Sequence, residues 1–183
     1  IYVPSTMNES SKVMARVVPF LHGRGIDLGA GGDPIYPVKA NAENNYCITV
    51  DRIGEANATI VGDVSKLDMF SDESMDWAYS SHCLEDFTYW KTVVNEWWRV
   101  VKVGGRLILY LPLVKPVAKE LGLDNWEDFY PAMTSEDEDR NSDHRTDFVP
   151  AEVRDYILSL SPAEVEVDEI RNTKDDQEYS FLL

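Results

Sequence analysis

Short apolar runs that resemble β-strands alternate along this chain with stretches of helical periodicity, and this alternation restricts the fold more than any other feature. RGIDL, YCITV and RLILYL are such strand-like runs. Between Thr88 and Val101 the apolar residues recur at helical spacing instead. Strands that alternate with helices predict an α/β layer fold with a mainly parallel sheet.

The predicted elements follow one another in that manner. An amphipathic helix over residues 8–21, ended or kinked near Pro19, comes first. We expect Val103-Gly104-Gly105 to end the helix that precedes the fifth strand, since glycine commonly ends helices. The first five strands are predicted at Arg24–Leu28, Tyr46–Val50, Ala58–Val61, Met75–Ser80 and Arg106–Leu111.

The C-terminal third is predicted to complete the sheet. Pro150 opens a helix with the sequence PAEVRDYILSL. Glu164–Ile170 alternates like a half-buried strand, and Tyr179–Leu183 resembles a final strand. The two are expected to form a hairpin that closes an otherwise parallel, seven-stranded sheet with one antiparallel member.

Length, charge and cysteine content narrow the class of protein. With 183 residues, the chain is predicted to be a single domain over 1–183, with an N-terminal helical segment at 1–21 and a substrate-side insertion at 112–149. A net charge of -16 disfavours a nucleic-acid partner. No run is apolar for long enough to span a bilayer, so no membrane partner is expected. Two cysteines favour a cytoplasmic location and exclude a four-ligand zinc site, and no metal is expected. The oligomeric state is left open.

The stretch GIDLGAGGDP, Gly25 to Pro34, places bare backbone at the end of a strand. In a parallel sheet, ligands bind beyond the carboxyl ends of the strands. Asp51 and Asp63 end the second and third strands, and Asp51 follows Asp27 by 24 residues. That offset is near the one at which an acid binds ribose hydroxyls, so an adenosine-type ligand is predicted. A plain tight turn and solvated strand ends are the structural alternatives.

The turn departs from the dinucleotide pattern. Asp33-Pro34 stands where a third glycine is expected, and Asp33 would bring a carboxylate toward a pyrophosphate. A cationic sulfonium ligand fits such an acidic rim better. A nicotinamide-dependent oxidoreductase therefore remains only as an alternative.

From about residue 20 to 183, the chain resembles the class I S-adenosylmethionine (SAM)-dependent methyltransferases. The resemblance is carried by GIDLGAGGDP, ITVDR, VGDVSKL, MDWAYSSHCLEDF and EWWRVVKVGGRLILYLP, in that order. It implies a Rossmann-like, doubly wound sheet, SAM as cofactor, and methyl transfer to a small molecule or biosynthetic intermediate. Val103 and Asp86 depart from the family pattern, which usually has proline and often histidine there.

The resemblance also implies roles for individual residues. Asp27 would hold the amino group of the ligand, and Asp51 would bind the ribose. Asp63 and the backbone of Val64 would contact the adenine. The remaining predicted cofactor-binding residues are Gly29, Ala30, Gly31, Arg52 (or Ile53) and Ser80, with Ser81 beside it.

Two histidines are the candidate catalytic residues. His82 follows the fourth strand near the expected methyl position, and His144 lies in the predicted insertion. Structural roles are open for both. Glu85 and Asp86 are interpreted as helix-start acids, and Trp97 and Trp98 as packing residues. A non-catalytic protein that kept the fold is the second alternative, motivated by the altered first helix and the lack of a clear base.

Overall fold

A computed structural model describes residues 9–35, 45–54, 58–113, 145–146, 148–160, 168–170 and 179–183. The chain divides into two compact units, one formed by residues 1–83 and 92–109 and the other by 84–91 and 110–183. Most of the predicted insertion at 112–149, including His144, lies outside the described residues.

The first unit is built on a sheet in which β1 lies between β2 and β4. The strands are ordered β3-β2-β1-β4-β5, and the pairs β1–β2, β1–β4 and β2–β3 are parallel. Their bounds are β1 Arg24–Leu28, β2 Tyr46–Asp51, β3 Ile60–Val61, β4 Met75–Ser81 and β5 Val101–Leu113. After β1 the chain continues to β2 and β3 on one side of β1, and then crosses to β4 on its other side. A topological switch point therefore lies at the carboxyl ends of β1 and β4.

Two helices belong wholly or mainly to this unit. Helix α1, Glu9–Val17, buries Ser10, Val13 and Val17, which recur every three or four residues. A 3₁₀ turn that contains Pro19 follows it, as the proline predicts. Helix α2, Trp90–Val100, buries Val93, Val94, Trp97 and Val100 on one face, so Trp97 is a packing residue.

The prediction that Val103-Gly104-Gly105 ends α2 is wrong. The helix ends at Val100 and β5 begins at Val101. The last helical carbonyls, of Arg99 and Val100, accept the amides of Glu73 and Ser74 at 2.9 Å, so no glycine cap is needed. Gly105 is instead needed for close packing, because a Cβ there would lie 2.7 Å from the carbonyl oxygen of Asp76.

The second unit has its own small core and strand pairing. Helix α3, Pro150–Leu160, begins and ends as predicted, and the ring of Trp90 meets those of Phe148 and Tyr156 edge-on at 5.5 and 5.2 Å. Strand β7, Tyr179–Leu182, pairs antiparallel with the last residues of β5 and with β6, Asp168–Ile170.

The α/β, Rossmann-like class with a parallel sheet is therefore confirmed. The connection between β6 and β7 lies outside the described residues, so the C-terminal hairpin and the complete seven-stranded sheet stay predictions. In the part of the chain that the structure describes, no helix is both long and apolar enough to cross a membrane.

Candidate active site

The turn after β1 adopts a conformation that requires glycine. Gly29 and Gly31 have φ values of +74° and +52°, which L-residues with a side chain rarely adopt. The amide of Gly29 donates to the carbonyl of Val50 at 2.8 Å, which ties the turn to β2. The chain therefore leaves β1 as a tight glycine turn at the switch point.

The space beside this turn is open at Gly31 and Gly32 but filled at Gly29. A Cβ added at Gly31 or Gly32 would meet no atom of the described residues within 4 Å. At Gly29 it would lie 2.5 Å from Sγ of Cys83. Bare main chain is thus available to an extended ligand along Gly31–Gly32, while Cys83 covers Gly29.

Asp51 connects the ends of three strands. One oxygen, Oδ2, accepts the amide of Gly31 at 2.9 Å, and Oδ1 accepts the amide of Ile53 at 2.8 Å. The carbonyl of Asp51 accepts the amide of Gly62 at 2.9 Å. A carboxylate accepts about four hydrogen bonds in all, so each oxygen retains capacity for a ligand hydroxyl.

Asp27 is a deeply buried acid of the site. Its Oδ2 accepts the amide of Ile35 at 2.8 Å, and the residue is 1% exposed. Burial raises the pKa of Asp27 to about 7; the Ile35 hydrogen bond opposes this, and the carboxylates of Asp33 and Asp51 add to it. A cationic group beside Asp27 would restore its charge, which suits an ammonium ligand.

Helix α2 supports the loop after β3 through a hydrogen bond. The carbonyl of buried Val64 accepts the indole Nε1–H of Trp97 at 2.8 Å. Asp63 is exposed, and its Oδ1 accepts the amide and hydroxyl of Ser65 at 2.8 and 2.7 Å. The Ser65 hydroxyl is the main cause of the lowered pKa of Asp63.

The other predicted cofactor residues have distinct surroundings. Arg52 and Ile53 are exposed beyond β2, and Ala30 is buried in the glycine turn. Ser80 is fully buried, and its hydroxyl donates to the carbonyl of Leu28 at 2.9 Å. The Ser80 side chain therefore stabilises the β1–β4 pairing, and its predicted role beside the ligand stays a prediction.

His82, directly after β4, faces the start of α1. Its Nε2 lies 3.3 Å from Oε2 of Glu9, and its side chain is 11% exposed. Its φ of +46° is unusual for a residue with a side chain and costs on the order of 1–2 kcal/mol. Oε1 of Glu9 lies 2.6 Å from Nζ of Lys12.

The start of α1 is also fixed to the glycine turn. Both the amide and the hydroxyl of Ser11 donate to the carboxylate of Asp33, at 2.8 and 2.7 Å. The hydroxyl of Tyr79 on β4 lies 3.4 Å from Oγ of Ser10. Glu9 and Ser11 are not predicted as site residues, because nothing local in the sequence signals contacts between residues so far apart in the chain.

Glu85 differs from its prediction as a helix-start acid. It lies in a 3₁₀ turn, Leu84–Asp86, before α2 begins, and it is 0% exposed. Its carbonyl accepts the amides of Arg145 and Thr146 at 2.7 and 2.9 Å. Among the described residues there is no cluster of side chains that could hold a metal ion.

Comparisons with known proteins agree with this geometry. Residues 26–109 match a protein-family model described as "Methyltransferase domain". No curated protein matches the chain.

Solved structures share the fold at low sequence identity. A SAM-dependent methyltransferase from Archaeoglobus fulgidus has a TM-score of 0.65 at 14% identity, covering 96% of this chain and 94% of its own. A Haloferax volcanii structure, of the Trm112 methyltransferase activator in complex with a methyltransferase, has a TM-score of 0.65 at 16% identity. The match covers 95% of this chain and 86% of the other. A Thermotoga maritima SAM-dependent methyltransferase, described as a possible histamine N-methyltransferase, has a TM-score of 0.60 at 18% identity. The match covers 95% of this chain and 86% of the other.

At these identities the structures establish the fold, and the family match covers the strands that carry the glycine turn and the acids of the site. The match of residues 26–109 to this family model, together with the shared fold, supports a class I SAM-dependent methyltransferase with S-adenosyl-L-methionine as cofactor.

Proposed function

We propose that this chain is an active methyltransferase that transfers the methyl group of SAM to a small-molecule or biosynthetic-intermediate acceptor. The observation that carries the proposal is the open main chain at Gly31–Gly32, joined directly to the Asp51 carboxylate by the amide of Gly31. Bare backbone and a ribose-binding acid on adjacent strands match the two halves of SAM, its amino-acid tail and its nucleoside.

In this proposal the ligand is held at both ends by carboxylates. Asp27 binds the α-ammonium group, and Gly29, Ala30 and Gly31 lie along the methionine portion. Asp51 accepts the ribose hydroxyls, with Arg52 or Ile53 packed on the adenine. Asp63 and the backbone of Val64 contact the adenine edge, and Ser80 borders the methionine moiety.

Bound SAM supplies an electrophilic methyl carbon on a sulfonium that leaves without acid assistance. The contribution of the protein is then to hold an acceptor atom in line with that carbon, at about 3–3.5 Å. Exclusion of water from the site by the surrounding protein strengthens the electrostatic interactions within it. Of the two histidine candidates, His82 follows β4 at the switch point, and His144 is proposed to belong to the substrate side.

A small acceptor is supported by the acidity of the chain and by its neighbours in fold. A net charge of -16 opposes binding of a nucleic acid. One neighbour is described as a possible histamine N-methyltransferase and another as a carbon methyltransferase. We extend to this chain only the class of acceptor that the first of these descriptions names, a small molecule.

Calorimetry with SAM and S-adenosylhomocysteine (SAH) tests cofactor binding. Asp51→Asn keeps one oxygen acceptor and the shape of the side chain but removes the charge, so SAH affinity should fall about 10- to 100-fold, or about 1–3 kcal/mol. Thermal unfolding of the variant shows that the fold survives. Absence of heat with either ligand, at concentrations up to millimolar, rules the proposal out.

Turnover separates the enzyme from the alternative, a non-catalytic SAM-binding protein. Tritiated SAM is incubated with a panel that contains a phenol, an imidazole, an amine, a thiol and an activated methylene. Label transferred to any acceptor supports the enzyme. Tight SAH binding with no transfer to any member favours the binding protein.

We also propose that residues 1–183 form one domain in which β6 and β7 complete a seven-stranded sheet as a hairpin, with 112–149 inserted on the substrate side. The antiparallel pairing of β5 with β7 and of β7 with β6 supports this arrangement. A cytoplasmic location is proposed on cysteine content, with Cys47 and Cys83 not joined in a disulfide.

A further inference from the structure

His82 and Glu9 form a histidine–carboxylate pair at the switch point of the sheet. Nε2 of His82 lies 3.3 Å from Oε2 of Glu9, with the histidine side chain 11% exposed and the glutamate side chain 32% exposed. The two residues are brought together by tertiary structure, since one begins α1 and the other follows β4. A carboxylate at this ion-pair distance favours the protonated form of an imidazole ring.

The glutamate is itself held in place from several sides. Lys12 binds its other oxygen at 2.6 Å. The first turn of α1 is anchored by Asp33, whose carboxylate accepts two hydrogen bonds from Ser11. Buried Ser10 packs beside the Tyr79 hydroxyl. The start of α1 is thus attached both to the glycine turn and to β4, which are the two segments that flank the switch point.

We propose that Glu9 is a positioning residue that orients His82 as the general base of methyl transfer, and that the acceptor therefore carries an O–H or N–H that is protonated at neutral pH. This inference rests on the proposed function and deepens it. It predicts a phenol, alcohol, imidazole or amide-type acceptor. It excludes an acceptor that is already an anion, such as a carboxylate.

The chemical step balances without any further reactant. The acceptor O–H or N–H bond breaks, and its proton passes to a ring nitrogen of His82. The electron pair left on the acceptor forms the bond to the methyl carbon, while the electrons of the carbon–sulfur bond stay on sulfur. The Glu9 carboxylate stabilises the imidazolium until the proton leaves to water.

The decisive measurement needs no acceptor. The chain has three histidines, so imidazole resonances can be assigned with His22→Gln and His82→Gln variants and followed by NMR against pH. In Glu9→Gln the titration midpoint of the His82 ring should move to lower pH, because a negative charge beside the imidazolium is lost. The other ionisable side chains that the structure describes on α1, on β4 and beside this pair include Lys12, Arg16, Asp33, Asp76, Tyr79 and Cys83, and all are retained in the variant.

Ser11→Ala is the matched control. It removes one of the two bonds from Ser11 to Asp33 but leaves the Glu9 carboxylate and every charge in place. A simple loosening of α1 would move the midpoint in Ser11→Ala as well as in Glu9→Gln. The proposal requires a clearly larger shift in Glu9→Gln than in Ser11→Ala, which keeps one of the two bonds to Asp33. An unchanged midpoint in Glu9→Gln overturns it.

Acceptor choice provides the second readout. With tritiated SAM, the phenol or imidazole of the panel should be labelled, and the rate should fall at least 10-fold in Glu9→Gln and more in His82→Gln. Label found only in the thiol or the activated methylene of the panel, or in no O–H or N–H acceptor, contradicts the proposed substrate class. SAH binding by calorimetry should be equal in wild type and both variants, so loss of this inference is distinguishable from loss of the cofactor site.

Discussion

At the scale of single residues, Asp27 makes the stability of the protein depend on pH. Its folded-state pKa of about 7 lies above its ordinary value of 3.8, so the folded protein holds a proton that the unfolded chain releases. Stability from this group is therefore present below pH 4 and declines as the pH rises to about 7, where the decline levels off.

Asp27→Asn should remove that decline. The amide cannot ionise, and its oxygen can still accept the amide of Ile35. Relative to wild type, the variant should gain little unfolding free energy at pH 4 and about 4 kcal/mol at pH 8. Urea unfolding of both proteins across this pH range measures the difference. A difference that does not change with pH contradicts the burial argument.

The same acid makes cofactor binding release a proton. If an α-ammonium group binds beside Asp27, it favours the carboxylate, so SAH binding should release up to about half a proton at pH 7 and close to one proton at about pH 6. Calorimetry in buffers with different ionisation enthalpies counts those protons. Asp27→Asn should bind SAH more weakly and release fewer protons, and equal release in the variant removes Asp27 from the ammonium site.

Alanine substitutions at Gly31 and Gly32 test whether the ligand lies along the main chain of the glycine turn. Gly31→Ala should cost about 1–2 kcal/mol of stability, because its φ of +52° is strained for alanine. Gly32 does not have a positive φ, and its Cβ would lie more than 4 Å from every atom in the part of the chain that the structure describes, so Gly32→Ala should unfold like wild type. Both variants should lose SAH affinity if the ligand lies along this segment. Wild-type affinity in both would show that the ligand lies elsewhere.

At the scale of elements, α2 positions the loop that follows β3. The indole of Trp97, which is fully buried, donates to the carbonyl of Val64, next to Asp63. Trp97→Phe leaves that carbonyl without this donor and should lower the unfolding free energy by about 1–3 kcal/mol. SAH affinity should fall as well, because the loop loses its support.

Trp98→Phe is the control for the loss of an indole from the same helix. Trp98 is only half-buried, so its replacement should cost less stability and leave SAH affinity unchanged. Chemical unfolding and calorimetry on the two variants give both quantities. Equal losses of affinity would mean that α2 acts on the site through its packing as a whole.

Elements with strong local signals are the ones that the sequence predicts well. β1 and α3 have the predicted bounds, because an apolar run before a glycine turn and a proline at a first helical turn are local features. The end of α2 was mispredicted because its carbonyls are satisfied by Glu73 and Ser74, which are distant in sequence. Likewise, the glycine turn and acids of the site were visible, whereas the Glu9–His82 pair depends on a tertiary contact.

At the scale of the whole molecule, a net charge of -16 acts on any charged ligand that approaches. SAM carries a sulfonium in addition to its ammonium and carboxylate groups, so it is a net cation, whereas SAH is neutral overall. An acidic surface attracts the cation at long range, and salt screens this attraction over a Debye length of about 8 Å at physiological ionic strength.

Salt should therefore weaken the binding of SAM more than that of SAH. Between about 20 mM and 500 mM sodium chloride, SAM should lose several-fold in association rate, measured by stopped-flow fluorescence, while the rate for SAH changes little. SAH serves as the matched control, because the two ligands share every group that the carboxylates and glycine turn are proposed to hold. Equal salt dependence of the two rates would mean that the net charge of the chain lies too far from the site, or too evenly around it, to guide the cofactor.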